Sequence, residues 1–358
     1  IFYAAGYGGN WGDTSILYET MAIADKGVFY TEDYLKEKEK EIGNDHAFYN
    51  GHFYSGFPPG TTFLALPLYL ISNHFLDFFI PDSLLGYSHL RLKIIVFNLI
   101  AIIFISVIFS ALLSVLFYKI LKYFYIGKRD RLIITFILAF ATLVFVYSME
   151  YHPRIISAFF NLLAFYLLFK MKKENKINNK YLFFAGLSSS FSVALTYTDA
   201  IFFVLLCVYL LTFLRNKRIM WFLLGAIIIL AGLLLYHYAI FNDPFTTPYN
   251  HRARGGITSI YTESRFGDFT HPNWYRIWNL SFSPFKGVFF YMPILLLSAC
   301  GLFFSFRKKI FFVENLFILG LFLAYFYFNA SLSSVNWQNN CGFGPRLIIP
   351  IIPLLMLP

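Results

Sequence analysis

Residues 91–131 read RLKIIVFNLIAIIFISVIFSALLSVLFYKILKYFYIGKRDR, a long apolar run that ends in a basic segment. A helix needs about 20 apolar residues to cross a bilayer, and 91–118 exceeds that length. Hydrophobic residues make up 58% of the 358 residues and charged residues only 13%, where soluble domains have about a quarter charged residues. The composition therefore predicts an all-α polytopic membrane protein and excludes a soluble one.

The basic residues indicate which side of the membrane is cytoplasmic. Sixteen of the 29 Lys and Arg residues fall in four short segments, which are 119–131, 170–180, 215–218 and 307–309. Loops rich in Lys and Arg stay in the cytoplasm. Because these loops account for most of the formal charge of +10, we expect no nucleic-acid partner.

If these four loops are cytoplasmic, about nine apolar runs alternate in direction across the membrane without conflict and are predicted to be transmembrane helices. They are 91–118, 132–148, 154–170, 181–197, 200–214, 219–238, 285–305, 311–329 and 347 onward, with long external loops at 239–284 and 330–346. Asp199 falls at the outer tip of the short hairpin formed by 181–197 and 200–214. We also expect further helices before residue 1 and after residue 358.

The apolar run 59–80 conflicts with that parity, because the residues on both sides of it must be external. It contains Pro67, His74 and Asp77 and follows two prolines. We therefore predict a juxtamembrane helix or a re-entrant element, with a true span as the open alternative. Residues 1–90 then comprise the end of a first transmembrane helix and one long external loop, and 91–358 form the helix bundle.

Several polar strings lie on the predicted outer side. Asp13 opens a helical stretch, either as an N-cap or as a carboxylate suited to act as a general base or to bind a metal. Glu150, His152 and Arg154 share one tight loop, which helix capping explains as well as catalysis does. Tyr54 begins a rigid turn rich in glycine and proline.

Two further strings contain groups that bind phosphate or sugar. His251 precedes Arg252 and Arg254, whose guanidinium groups match phosphate oxygens, although contact with lipid headgroups is the open alternative. Trp337, Gln338 and Arg346 precede the last apolar run. Amides and tryptophan rings favour sugar hydroxyl groups and ring faces, but tryptophan is also common in the aromatic belt of membrane proteins.

In this order the strings resemble the GT-C glycosyltransferases, near the protein O-mannosyltransferases and the lipid A aminoarabinose transferase. The similar segments are 12–18 around Asp13, 54–66, 241–249, 283–289 and 337–346. The resemblance implies a GT-C-like transmembrane bundle whose long first external loop contains juxtamembrane helices. It also implies an inverting transfer from a polyprenyl-phosphate-linked sugar to a protein, lipid or glycan acceptor, on the external face of the plasma membrane.

The resemblance implies that Asp13 is catalytic, with Glu150 as the acid of the second external loop. The expected substrate-binding residues are Tyr54, His152, Asp199, His251, Arg252, Arg254, Trp337, Gln338 and Arg346. The relatives often have a pair of acids where Asp13 is followed by Thr14, and an Asp in place of Glu150, so a divalent metal ion stays an open alternative.

The competing interpretations are a transporter or lipid flippase without glycosyl transfer, and a non-catalytic scaffold. A transporter predicts ionisable groups near helix midpoints, whereas the central thirds of these spans are nearly free of charge.

Overall fold

The computed structural model describes residues 11–35, 46–84, 87–124, 126–251, 269–332 and 342–358, and the side chains of residues 11–13 and 84 lie outside that description. The helices are α1 (Trp11–Lys26), α2 (Glu32–Leu35), α3 (Gly60–Phe79), α4 (His89–Ala101), α5 (Ile108–Leu121), α6 (Lys128–Phe140), α7 (Leu143–Ser148), α8 (Pro153–Lys173), α9 (Asn179–Leu195), α10 (Ala200–Phe213), α11 (Ile219–Phe241), α12 (Trp274–Ser281), α13 (Val288–Tyr291), α14 (Ile294–Arg307), α15 (Phe312–Ser331) and α16 (Ile352–Leu355). Two short antiparallel hairpins pair β1 (His46–Tyr49) with β2 (His52–Ser55), and β3 (Ser83–Leu84) with β4 (Tyr87–Ser88).

Five of the described helical segments are long and apolar enough to cross a membrane. They are Gly60–Phe79, His89–Phe124, Pro153–Lys173, Ile219–Phe241 and Phe312–Ser331. Large apolar side chains on them point outward, such as Phe78 at 81% exposure and Leu235 at 67%. Contiguous exposed apolar surface of this kind is stable against lipid rather than water. The all-α polytopic membrane fold predicted from composition is therefore confirmed.

Two of the predicted spans are interrupted. Residues 132–148 fall in α6 and α7, which are separated at residues 141–142, and residues 285–305 fall in α13 and α14. The second break comes at Pro293, because proline lacks the N–H that would continue the helix. The predicted hairpin is present as α9 and α10, joined by the 3₁₀ turn Tyr197–Asp199.

The long helical segment His89–Phe124 contains a π-helical stretch, Ile102–Val107, between α4 and α5. A short π-helical stretch inserts one extra residue into an α-helix, and such stretches are frequent at functional sites. Ser106 lies in this stretch and is fully buried. Its hydroxyl therefore faces protein rather than lipid.

The chain divides into two compact units. Unit 1 comprises Ile1–Ile108, Ser148–Pro153 and Ala231–Arg265. Within it α1 packs along α3, and the Lys93 Nζ donates to the Asp77 Oδ1 at 2.6 Å, which connects the end of α3 to α4. The juxtamembrane position of α3 stays a prediction, since its length and composition also suit a span.

Unit 2 comprises Phe109–Tyr147, Arg154–Leu230 and Phe266–Pro358. Within it α10 packs against α15, and α9 approaches α11 so closely that only glycine fits at the crossing. A Cβ at Gly186 would lie 2.0 Å from the backbone oxygen of Phe222, and one at Gly225 would lie 2.1 Å from that of Phe183. Small residues at such crossings let membrane helices pack closely where water supplies no driving force.

Candidate active site

Asp13 lies in α1, whose described part begins at Trp11. The alternative that Asp13 is the N-cap of this helix is therefore wrong, because the two residues before it are already helical. The side chain of Asp13 lies outside the described part of the chain.

Glu19 lies further along α1 and is fully buried. The Thr62 hydroxyl donates to its Oε2 at 2.7 Å, and the Tyr236 hydroxyl donates to its Oε1. Burial raises the pKa of the Glu19 carboxyl to about 7, although the hydrogen bonds from Tyr236 and Thr62 act in the opposite direction. Glu19 is therefore poised to gain or lose a proton near neutral pH.

The turn and helix start at residues 55–62 contact two separate parts of unit 1. Glu19 of α1 reaches Thr62 as described, and the Ser15 and Ser55 hydroxyl oxygens lie 3.4 Å apart. On the side of the loop 149–153, the Tyr151 hydroxyl donates to the Thr61 carbonyl at 3.1 Å. The helix that contains Asp13 and the loop that contains Glu150 therefore pack on the same proline-rich turn.

The same loop holds His152, which is 1% exposed. Its ring lies 6.3 Å from that of Phe57, edge to face, so His152 also faces the proline-rich turn. Glu150 is half-buried, and its backbone carbonyl accepts hydrogen bonds from the His152 N–H at 2.9 Å and the Ser106 hydroxyl at 2.7 Å. The π-helical stretch thus provides the donor that fixes the backbone at Glu150.

Tyr54 and His251 belong to an aromatic cluster in unit 1. The ring of His251 stacks on Phe241 with centroids 5.2 Å apart, and the Tyr54 ring lies 6.1 Å from the same Phe241 ring. Tyr49 lies 4.9 Å from His251 and completes the cluster. The structure therefore brings these two predicted residues together, and Tyr54 is 8% exposed within the cluster.

In unit 2, Arg346 folds back over a glycine. A Cβ at Gly342 would lie 2.6 Å from Cδ of Arg346, so a larger residue there would displace the arginine side chain. Lys286 is 4% exposed, and its Nζ donates to the Gly342 carbonyl. The Tyr147 hydroxyl donates to the Phe343 carbonyl at 2.9 Å and holds the same loop. Two basic side chains therefore meet at one tight loop.

Asp199 is also in unit 2, and it is fully buried. The Tyr325 hydroxyl donates to its Oδ1 at 2.6 Å. The sequence predicted that Asp199 lies exposed at the outer tip of a hairpin, whereas in the structure α15 covers it. The reason is tertiary, because α10 packs along α15.

Four predicted residues, Arg252, Arg254, Trp337 and Gln338, lie outside the described residues. In the part of the chain that the structure describes, no group of three or more His, Cys, Asp and Glu residues is placed to hold a metal ion.

Two residues of interest were not predicted as site residues. Glu19 is an acid within the mostly apolar stretch 16–23, and Lys286 is a lone cation at the start of a predicted span. An ionisable residue in such a setting is costly unless it has partners, and this is the signal that identifies both.

Comparison with known proteins adds one match. Residues 88–237 match the family model described as dolichyl-phosphate-mannose-protein mannosyltransferase, a domain of the GT-C superfamily. Neither a curated protein nor a solved structure matches the chain. The matched segment includes Glu150, His152 and Asp199, and it supports a membrane glycosyltransferase of the mannosyltransferase type. The match confirms the resemblance to the GT-C glycosyltransferases over residues 88–237, and the five similar segments named from the sequence lie outside it.

Proposed function

We propose that the protein transfers a sugar from a polyprenyl-phosphate donor to an acceptor hydroxyl at the outer face of the plasma membrane, with inversion at the anomeric carbon. The acceptor oxygen forms a bond to that carbon while the bond from the carbon to the phosphate oxygen breaks. The acceptor proton passes to a carboxylate, and polyprenyl phosphate leaves. The acceptor is a protein, a lipid or a glycan.

The observation that carries this proposal is the packing of α1 and the loop 149–153 on the same turn. The Thr61 carbonyl holds Tyr151 of the loop, and the neighbouring Thr62 hydroxyl holds Glu19 of α1. Two segments about 140 residues apart in the chain, each with an acid of the predicted pair, thus share one support. A fixed backbone is what general acid–base chemistry needs, because a small displacement of the reacting groups costs much of the rate.

In this proposal Asp13 is the general base, and Glu150 assists it from the second loop. A carboxylate placed beside the acceptor hydroxyl can take its proton in the transition state. Glu19 does not contact the substrates in this scheme. It fixes α1 against α3 and α11 through Thr62 and Tyr236.

The donor phosphate needs cations, and Arg346 and Lys286 are the proposed pair in unit 2. A guanidinium binds phosphate oxygens with two parallel hydrogen bonds, and Lys286 adds a second charge at the same loop. Arg252 and Arg254 are proposed to contribute further charge. These cations stabilise the negative charge that develops on the leaving phosphate.

Tyr54, His152, His251, Trp337 and Gln338 are proposed to contact the sugar or the acceptor. Rings and amides suit this purpose because sugars present apolar ring faces and many hydroxyl groups. The aromatic cluster around Phe241 holds Tyr54 and His251 in fixed positions.

The experiment compares wild-type protein with Asp13→Asn in lipid nanodiscs, with a labelled polyprenyl-phosphate mannose as donor. We expect transfer or donor hydrolysis to fall about 100-fold, because the amide cannot accept the acceptor proton. The control is Asp33→Asn, which makes the same chemical change at an exposed residue paired with Lys26. Equal activity of wild type and Asp13→Asn would remove Asp13 from the mechanism. Movement of intact donor lipid across the membrane without any transfer would favour the flippase instead.

The side of the membrane is tested by cysteine labelling at two exposed positions, Asn50→Cys in the turn between β1 and β2 and Ser83→Cys after α3. Both should react with an impermeant thiol reagent applied outside intact cells. Reaction of the first alone would show that α3 crosses the membrane and that residues 1–90 are not one external segment.

A further inference from the structure

The short helix α12 in unit 2 exposes three aromatic side chains that the proposed mechanism does not use. Trp274 is 76% exposed, Tyr275 is 66% exposed and Trp278 is 53% exposed. An α-helix turns by about 100° per residue, so these three positions lie within about 100° of one another on one face. Exposed aromatic patches of this kind mark contact surfaces.

The opposite face of α12 is buried against the end of α15. Arg276 is 8% exposed, and its guanidinium donates to the Leu332 carbonyl at 2.7 Å and to the Ala330 carbonyl at 3.4 Å. Carbonyl groups at the end of a helix lack partners within the helix, and a cation beside them is favoured by the helix dipole. Leu280, one turn further along α12, packs with Ala330 in an apolar cluster. Hydrogen bonds and apolar packing therefore both hold α12 at the end of α15.

The end of α15 marks a boundary of the membrane. α15 is one of the helices that are long and apolar enough to cross a bilayer, and the basic segment 307–309 precedes its start. With the basic loops in the cytoplasm, as the charge bias predicts, the last turn of α15 lies at the outer boundary. Because Arg276 and Leu280 both contact Ala330, α12 lies at the same boundary.

A series of ring contacts connects the exposed face of α12 to the surface of α15. The Trp278 ring centroid lies 5.5 Å from that of Phe282, and the Phe282 centroid lies 5.3 Å from that of Phe289. Phe289 in turn lies 6.2 Å from Phe322 of α15. The next residue of α15, Leu323, is 55% exposed on the surface that this helix turns to lipid. The aromatic face of α12 is therefore continuous with a lipid-facing surface.

The chemistry of the exposed face fits the polar boundary of a bilayer. Trp and Tyr side chains combine an apolar ring with one polar group, and they collect at the level of the lipid headgroups. Residues 269–286 include no acid, and the two Lys and Arg residues among them, Arg276 and Lys286, are buried. The contact therefore depends on the aromatic rings rather than on attraction to anionic headgroups.

We propose that α12 lies in the outer interface of the bilayer, with Trp274, Tyr275 and Trp278 inserted among the lipid headgroups and the first acyl carbons. The partner is the lipid surface itself, irrespective of headgroup charge. Arg276 is the tether that keeps α12 at this depth, because it joins α12 to the end of a spanning helix. Part of the predicted external loop 239–284 thus lies in the membrane interface rather than in water. This inference does not depend on glycosyl transfer.

The test measures the depth of single spin labels in nanodiscs of neutral lipid, from their collisions with oxygen and with a water-soluble nickel complex. The labels are attached to Trp274→Cys and Trp278→Cys in a chain whose three cysteines are replaced by serine. Two exposed residues of unit 2 serve as references, Leu323→Cys within the span and Lys308→Cys in water. We expect both α12 labels about 5–10 Å below the phosphate layer. The Leu323 label should lie deeper, since this residue is about 12 Å from Ser331 along α15.

Two further measurements test the source of this depth. Exchanging the neutral lipid for an anionic lipid, or raising the salt concentration, should leave both depths unchanged, because no exposed Lys or Arg lies on α12. Arg276→Gln removes the tether, so the label at position 278 should become more mobile. The matched control is Arg307→Gln, the same change at an exposed arginine of α14, and it should leave that mobility unchanged. Equal mobility in Arg276→Gln and wild type would remove Arg276 as the tether.

Four outcomes would overturn the inference. Labels at positions 274 and 278 that collide with the nickel complex as often as the Lys308 label would place α12 in water. Labels as deep as that at Leu323 would place it in the bilayer core. Labels shielded from both oxygen and nickel would show contact with a protein partner or a second copy, and insertion only with anionic lipid would show an electrostatic contact. If Trp278→Cys does not fold, Tyr275→Cys on the same face is measured against the same references. Each of these outcomes leaves the proposed glycosyl transfer to be decided by its own assay.

Discussion

Glu19 in unit 1 and Asp199 in unit 2 are both fully buried carboxyl groups that accept a tyrosine hydroxyl. They differ in their remaining neighbours, because Glu19 also accepts from the Thr62 hydroxyl, whereas for Asp199 the Thr196 and Ser157 hydroxyl groups and then the Arg154 charge act to lower the pKa. Hydroxyl groups alone do not offset the desolvation of a buried carboxylate, so the pKa of Glu19 rises to about 7. Burial likewise raises the pKa of Asp199 to about 6, although its hydrogen bonds and the Arg154 charge act in the opposite direction. Desolvation therefore dominates at both carboxyl groups, and the guanidinium reverses little of it.

The largest expected effect comes from removing the buried Arg154 charge, which acts to lower the pKa of Asp199. Arg154→Leu removes the cation and leaves the carboxylate buried, which should cost about 3–5 kcal/mol of stability. The double variant Arg154→Leu with Asp199→Asn removes both charges and should recover much of that loss. Melting temperatures of wild type, both single variants and the double variant form a cycle that measures the coupling. Additive effects in that cycle would show that the two residues do not compensate each other.

A smaller effect on stability is expected from the titration of Glu19 with pH. Its pKa in the folded protein is raised from 4.5 to about 7, so its full contribution to stability is present below about pH 4.5. That contribution is lost as the pH rises through about 7, and the total loss is about 3 kcal/mol.

The measurement is the melting temperature between pH 5 and pH 8 in wild type and in Glu19→Gln. The glutamine does not titrate, so the variant should lack the part of the decline that belongs to Glu19. Superimposable pH profiles of the two proteins would mean that Glu19 keeps one protonation state across this range.

The smallest effect is expected from Tyr236→Phe, which deletes one hydroxyl and keeps the ring that packs on Phe29 and Phe63. The Tyr236 hydroxyl lowers the pKa of Glu19, so its removal should raise that pKa further above its usual range. The loss of one hydrogen bond to an ionised group should cost about 1.5–3 kcal/mol above neutral pH and less below it. Carboxyl infrared absorption measured against pH reports the pKa directly. A decrease in that pKa would contradict the assigned hydrogen bond.

Much of the fold was predictable because hydrophobic period and charge bias are local properties of the chain. The run 91–118 is a helix because apolar residues dominate it, and the break at Pro293 follows from the missing N–H. The π-helical stretch Ile102–Val107 was not predicted, because no residue type marks it and packing decides it. The position of α3 at or across the membrane is also not fixed by hydropathy.

The candidate site was also predictable only in part. Sequence strings pointed to Glu150, His152 and Arg346, because acids, imidazoles and guanidinium groups in outer loops are recognisable by type. The partners of these residues were not predictable. Lys286 meets the Arg346 loop from a segment about 60 residues away, and no local pattern specifies such a contact.

By itself the sequence determined that this is a membrane-embedded helical protein, which of its loops are basic, and which superfamily it resembles. These properties are sums over neighbouring residues, so the chain order is enough to read them. Only the tertiary structure decided that Glu19 and Asp199 are buried to the same extent with different partners, and that Arg276 holds α12 at the end of α15. Burial and hydrogen bonding depend on residues that are distant in sequence and adjacent in space, and the free energy of an ionisable or amide group is set by those neighbours.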